Sequence, residues 1–139
     1  MSVIHKELNT AAQVARLSDV LSFIEQNLEE AGFTFKDVMQ INLAVEEIFV
    51  NVASYAYPDG DGSAEIIIDI EETPLSATIK VIDSGIPFNP LEHEDPDVTF
   101  KAEDRGIGGL GIYLTKKTMD SVSYSYENGK NILTMTKTV

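Results

Sequence analysis

The chain has no cysteine, which excludes a disulfide framework and gives no sign of an oxidising compartment. It has no leading apolar stretch of signal-peptide type and no uninterrupted apolar run approaching the roughly 20 residues of a membrane span. A soluble, cytoplasmic protein without a membrane partner is expected. Cations are also scarce: 10 basic residues face 23 acidic ones, a formal net charge of -13. The long-range field of that charge repels phosphate backbones and anionic lipid, so direct nucleic-acid binding is not expected. Most of the excess belongs to a solvated surface. There is no Gly-x-x-x-x-Gly-Lys-Ser/Thr loop and no internal repeat. A chain of 139 residues buries roughly two thirds of its unfolded surface, so one domain over 1–139 needs neither metal nor disulfide for a core.

What the chain does have is periodicity. Residues 2–8 read as a short edge strand, and Leu17, Val20, Leu21, Ile24 and Leu28 recur at helical spacing up to Gly32 as a stop. Thr34 and Asp37 form a capping pair before a second helical run, Val38, Ile41, Val45, Ile48, Phe49 and Val52, which ends near Pro58 and the Asp59-Gly60-Asp61-Gly62 turn. The β-branched runs 64–70 and 77–82, separated by Glu71-Glu72-Thr73-Pro74, predict a hairpin of buried strands with Asp83 at a strand end. Leu110, Tyr113, Leu114 and Met119 predict a third helix. Residues 122–127 and 132–137 predict a closing hairpin around Asn128-Gly129. This order predicts an α+β fold: a two-layer sandwich of one mixed, mostly antiparallel sheet with three helices on one face. Between the hairpins, residues 86–105 hold three prolines and charges in no consistent period, as a lid does, and the lid is expected to span about 86–109.

Glu47 and Asn51 lie four residues apart on the second helix and project from one face. An amide oxygen such as that of Asn51 suits magnesium, which takes few protein oxygens alongside phosphate oxygens and water. Glu47, one turn earlier, would reach an adjacent water or hydroxyl and accept its proton. Asp83, followed by Gly85 where the backbone can come close, offers an acceptor to an exocyclic amine, the group that separates adenine from guanine. Gly106, Gly108, Gly109 and Gly111, with Leu110 among them, leave backbone N–H groups unobstructed at the start of the third helix, where a phosphate is favoured. Lys101 and Arg105 would bring positive charge, and a divalent cation would reverse the local charge of so acidic a chain. Taken singly, Glu47 and Asn51 read as solvated helix residues and Asp83-Ser84-Gly85 as a strand-ending turn. Their joint order and spacing set them apart. His5 and His93 have no neighbouring ligand set and read as surface or packing residues; the methionines and tyrosines read as core.

These residues are the ones by which the chain resembles the ATPase superfamily of gyrase B, the MutL repair proteins and histidine kinases, whose fold is called the Bergerat fold. Its Glu-x-x-x-Asn box corresponds to Glu47 to Asn51, its Asp-x-Gly box to Asp83 to Gly85, and its glycine box to Gly109-Leu110-Gly111, continuing as Ile112-Tyr113-Leu114 to Met119-Asp120. Within that superfamily the chain is similar to the anti-sigma-factor serine/threonine kinases. Asp83-Ser84-Gly85-Ile86-Pro87-Phe88 has proline where histidine kinases usually carry another glycine, and no phosphoacceptor helix is expected. The resemblance implies ATP and magnesium as cofactors, with Asn51 as metal ligand, Glu47 as catalytic base for a serine or threonine hydroxyl, Asp83 reading adenine and the lid closing over the phosphates. It also implies a small anti-anti-sigma protein as acceptor, a sigma factor as competing partner, and a homodimer. Tyr55 stands where the family commonly has histidine, and the lid is unusually acidic at Glu92, Glu94, Asp95, Asp97, Glu103 and Asp104.

Two functions are open at this point. The retained Glu47 favours a kinase, since a carboxylate is needed there only if a hydroxyl is to be activated. The acidic lid favours an anti-sigma or related switch module that binds nucleotide without phosphotransfer. The catalytic half of a split histidine kinase would need a phosphoacceptor histidine that these residues do not supply.

Overall fold

In the computed structural model, which describes residues 4–92 and 109–139, the elements follow in the order read from the sequence. They are β1 (Ile4–Ala11), α1 (Leu17–Ala31), α2 (Phe35–Asn51), β2 (Ser63–Glu72), β3 (Leu75–Asp83), α3 (Gly109–Thr118), β4 (Ser121–Glu127) and β5 (Lys130–Thr138). The strands form one sheet in the spatial order β1-β2-β3-β5-β4. Every neighbouring pair is antiparallel, so the sheet expected to be mixed is antiparallel throughout among the described residues. Tight hairpins impose this on β2–β3 and β4–β5, and β5 then runs back along β3. β1 reaches Ala11, beyond the residues 2–8 read from the sequence, because it pairs with β2 over its whole length, Ile4 opposite Ile70 to Ala11 opposite Ser63.

The local chemistry explains the element ends. Gly32 closes α1 at φ 98°, a left-handed conformation that favours glycine, and its N–H returns to the Glu29 and Leu28 carbonyls. Thr34 caps α2: its Oγ1 accepts from the Asp37 N–H at 3.3 Å and donates to the Asp37 carboxylate at 2.9 Å, a device worth about 1 kcal/mol. Asn128 and Gly129, at φ 53° and 77°, make the two-residue turn between β4 and β5.

One face of the sheet meets the helices. Ile66, Ile68 and Ile70 of β2, Ile79 and Val81 of β3 and Met135 of β5 are buried there against Ile24 and Leu28 of α1 and Ile41, Val45 and Phe49 of α2. Each such side chain stabilises the fold by roughly 1.5–3 kcal/mol relative to exposure. Ile67, inside the same isoleucine run, is only partly buried, so β2 is covered on one face and not on both as its composition predicts. Met39 is likewise on the outer side of α2, off the core period, although the sequence reading put methionines in the core. His5 has partners that sequence separation hides: its ring lies 2.5 Å from Asp69 Oδ1, across the β1–β2 register, and 3.1 Å from Glu7 Oε2. The Asp69 hydrogen bond, helped by Glu7, holds its pKa above the ordinary histidine value. His93 lies outside the described residues.

Candidate functional site

The last turn of α2 carries Glu47 and Asn51. Helical periodicity that buries Ala44, Val45 and Ile48 turns these two toward the side of the core, and Asn51 is buried while Glu47 is half-buried. The Asn51 Nδ2 donates to Glu47 Oε1 at 3.4 Å, a bond that leaves the amide oxygen uncommitted among the described residues. Burial raises the Glu47 pKa above its ordinary value; the Asn51 hydrogen bond pulls it back, and the charge of Glu46 adds to the rise. A carboxylate so placed is a better proton acceptor than one in water.

α2 does not stop at Asn51 but passes into one turn of π-helix, Val52–Ala56. This wide turn presents the Ala56 carbonyl to the chain leaving β3, where it accepts the Ile86 N–H at 2.9 Å. Gly85 lies so close that a Cβ would fall 2.1 Å from Ala56 O, and its glycine identity is the condition for this approach. The contact fixes the end of β3 against the end of α2 and so brings Asp83 to the same place as Asn51.

Asp83 is buried. Its Oδ1 accepts the Gly85 N–H at 2.9 Å and Asn131 Nδ2 at 2.9 Å. Asn131, opposite Asp83 in the β3–β5 register, is a residue that sequence reading missed. Its Nδ2 also donates to the Ile86 carbonyl at 2.8 Å, and its Oδ1 accepts the Phe88 N–H at 3.1 Å and the Tyr124 hydroxyl. The signal was available: Asn131, Leu133 and Met135 share the inward period of β5, and a carboxamide in that row has to find partners. Tyr57 adds a second clamp, its hydroxyl donating to the Ser63 carbonyl at 2.6 Å and accepting the Ser84 N–H at 2.8 Å. Tyr55 packs its ring against Phe88, centroids 6.0 Å apart.

Asn51 and Asp83 face one hollow, floored by Ile48 and Val81 and flanked by Phe88 and Tyr124. Its volume is about 30 Å³, room for water but not for a purine. The donor set suits a nucleotide and its metal: a free amide oxygen for a hard cation and a buried carboxylate acceptor over an apolar floor. A purine needs that hollow to widen.

On the other side of Glu47 lies α3. Gly109, Leu110 and Gly111 open this helix, and a Cβ at Gly111 would sit 2.1 Å from Glu47 Cδ and Oε2. The structure therefore gathers Glu47, Asn51, Asp83, Gly85 and Gly111. Lys101, Arg105, Gly106 and Gly108 lie outside the described residues, as does the expected lid beyond Glu92. Among the described residues no group of three or more His, Cys, Asp or Glu side chains is placed to hold a metal.

Residues 10–137 match the family described as the histidine kinase-like ATPase domain, and the chain belongs to that family. Its relatives include the serine-protein kinase RsbW of Bacillus thuringiensis strain Al Hakam, 30% identical over 110 residues, which cover 76% of this chain and 67% of the relative. RsbW of Bacillus cereus strain 03BB102 matches with the same identity and coverage. A crystal structure of the RsbU and RsbW domains of Rv1364c from Mycobacterium tuberculosis shares the fold, with a TM-score of 0.65 over 97% of this chain at 17% identity; the chain spans 32% of that longer one. These likenesses bear out the resemblance to the anti-sigma-factor kinases and the α+β architecture that it implies.

Proposed function

We propose that the chain is an ATP-dependent protein serine/threonine kinase of the anti-sigma-factor type, acting with magnesium in the cytoplasm. The observation that carries this reading is the juxtaposition of a half-buried Glu47 carboxylate with the Asn51 amide, one turn apart, beside the hollow that holds Asp83. Asp83 accepts the exocyclic amine of adenine through a buried carboxylate oxygen, and Gly85 keeps the backbone clear. Asn51 Oδ1 would hold magnesium, which when bound would offset the negative charge of the phosphates. Lys101, Arg105 and the glycine-rich run 106–111, including Leu110, close over the phosphates as part of a lid at about 86–109. Glu47 takes the proton of the acceptor hydroxyl as the hydroxyl oxygen bonds to the γ-phosphorus of ATP and the bond from that phosphorus to the β–γ bridging oxygen breaks, with ADP leaving. The acceptor is a small anti-anti-sigma protein, which in unphosphorylated form competes with a sigma factor for a homodimer of this chain.

Labelled Mg-ATP incubated with a candidate acceptor protein tests the reading. Transfer is expected, and Glu47→Ala is expected to lower it by roughly 10²–10⁴-fold while the rise in melting temperature caused by Mg-ATP is retained. Equal transfer by wild type and Glu47→Ala removes Glu47 as base. The closed hollow and the acidic lid favour a second reading, a switch module without phosphotransfer. A wild-type protein that Mg-ATP stabilises but that labels no acceptor establishes that alternative.

A further inference from the structure

Four large apolar side chains stand in solvent in one strip. Phe35, Met39 and Leu43 recur every four residues along α2 and are 77%, 48% and 61% exposed, and Leu114 of α3 is 50% exposed. The opposite face of α2 packs on the sheet through Ile41, Val45 and Ile48, so this row has no partner within the described fold. Folded monomers seldom leave so much contiguous apolar surface unused. Two hollows follow the strip. One, of about 200 Å³, lies between α1 and α2 beside Phe35, Met39 and Leu43. The other, of about 250 Å³, lies between α2 and α3 with Leu43, Leu114 and Gly111 on its walls and Glu47 at its edge. Leu43 and Glu46 border both.

We propose that this strip docks the acceptor protein of the kinase reading above, through an apolar segment flanked by lysine or arginine that lies along α2 and delivers its hydroxyl to Glu47. The inference rests on that reading and names its substrate class. Continuity is the first argument: Glu47 lines the same hollow as Leu43 and Leu114, so a chain seated there reaches the carboxylate without crossing the hollow of Asn51 and Asp83. Charge is the second. Glu25, Glu46 and Glu47 line the two hollows, and among the described residues no basic side chain does. A second copy of this chain would bring the same carboxylates and a further net charge of -13, whereas a basic segment neutralises them. The third argument is Asn42, on the wall of the first hollow, whose Oδ1 is shielded from solvent and has no hydrogen-bond partner among the described residues. Such an acceptor awaits a donor, and an ammonium or guanidinium supplies one.

Two labelled helical peptides of equal length test this at about 0.15 M salt, where the overall field is screened. Both carry leucine at helical spacing and one serine beside the terminal leucine; their remaining positions are lysine in one and glutamate in the other. By fluorescence anisotropy the lysine peptide is expected to bind at least about tenfold more tightly than the glutamate peptide, and Leu43→Asp and Met39→Asp are each expected to weaken it about tenfold. Val14→Asp, at a position 56% exposed in the turn before α1, is expected to stay within about twofold. Equal binding by Leu43→Asp and Val14→Asp overturns the proposal. So does a wild-type dimer that Leu43→Asp converts to monomer in sedimentation, since that gives the strip to a second copy. Stabilisation by Mg-ATP is measured on the same samples. Its retention in Leu43→Asp together with lost peptide binding supports the docking role, whereas its absence from the wild type removes the kinase reading without touching the peptide result.

Discussion

The hollows on the two sides of the Glu47–Asn51 turn are built in opposite ways. On the Asn51 side, between α2 and the sheet, Asn131 ties Asp83, Ile86, Phe88 and Tyr124 together by hydrogen bonds, and about 30 Å³ of space is left. On the Glu47 side, between α2 and α3, the walls are largely apolar and about 250 Å³ is open; the hydroxyl bonds there, Thr115 Oγ1 to the Gly111 carbonyl and Thr118 Oγ1 to the Leu114 carbonyl, each at 2.9 Å, turn back into their own helix. The difference follows from the neighbours. Strands bring register, and register places one polar side chain opposite another. Two helices bring only side-chain rows, which leave a gap when small residues such as Gly111 and Ala44 meet. A ligand entering the first side must replace bonds already made, which favours discrimination among bases. A ligand entering the second meets a largely apolar surface edged by Glu46 and Glu47, with no such bonds across it to displace, which favours a protein.

The comparison is broken most severely at Asn131. Asn131→Leu removes the bonds that Asn131 makes to the Asp83 carboxylate, the Ile86 carbonyl and the Phe88 N–H, and a loss of about 2–4 kcal/mol in urea unfolding is expected. A loss below about 0.5 kcal/mol, the range of ordinary surface substitutions, shows that the network is not what holds this side closed. Gly111→Ala acts on the other side. Its methyl group meets the far end of Glu47, which can swing away, so stability is expected to change by less than about 1 kcal/mol. Labelled transfer is expected to fall roughly 10²-fold, because the carboxylate is displaced.

The smallest effect concerns the pH dependence of the boundary residue itself. Burial raises the Glu47 carboxyl above its ordinary 4.5, so the folded state holds that proton more tightly than the unfolded one. Its contribution to stability is complete below pH 4.5 and is lost as pH rises through the raised value. Glu47→Gln is therefore expected to melt higher than wild type at neutral pH, and the advantage is expected to vanish under acid conditions. A difference in melting temperature that does not change with pH contradicts the desolvation of this carboxylate.

The sequence disclosed one of these sides much better than the other. Glu47 and Asn51 were legible because a four-residue spacing on a helix fixes which side chains stand together, and both helix ends announced themselves through Gly32 and Thr34. The Asn128-Gly129 turn fixed the last hairpin in the same local way. Asn131 was hidden because its role depends on standing opposite Asp83, 48 residues away, and strand pairing of that range leaves no local mark. The π turn at Val52–Ala56 was hidden too, since the apolar spacing through Val52 reads as ordinary helix. The isoleucine run of β2 suggested cover on both faces because composition records burial but not direction.

Tyr55, Tyr57 and Tyr124 gather at the ends of α2 and β3 and on the wall of the Asn51 hollow, and the chain contains no tryptophan to outshine them. Ultraviolet emission from the unlabelled protein thus reports chiefly on phenol rings, of which Tyr124 lines the Asn51 hollow and Tyr55 packs on Phe88 at its flank. Widening of that hollow would separate the Tyr55 ring from Phe88 and free the Tyr124 hydroxyl from its amide partner, so quenching and spectral position should follow occupancy in real time.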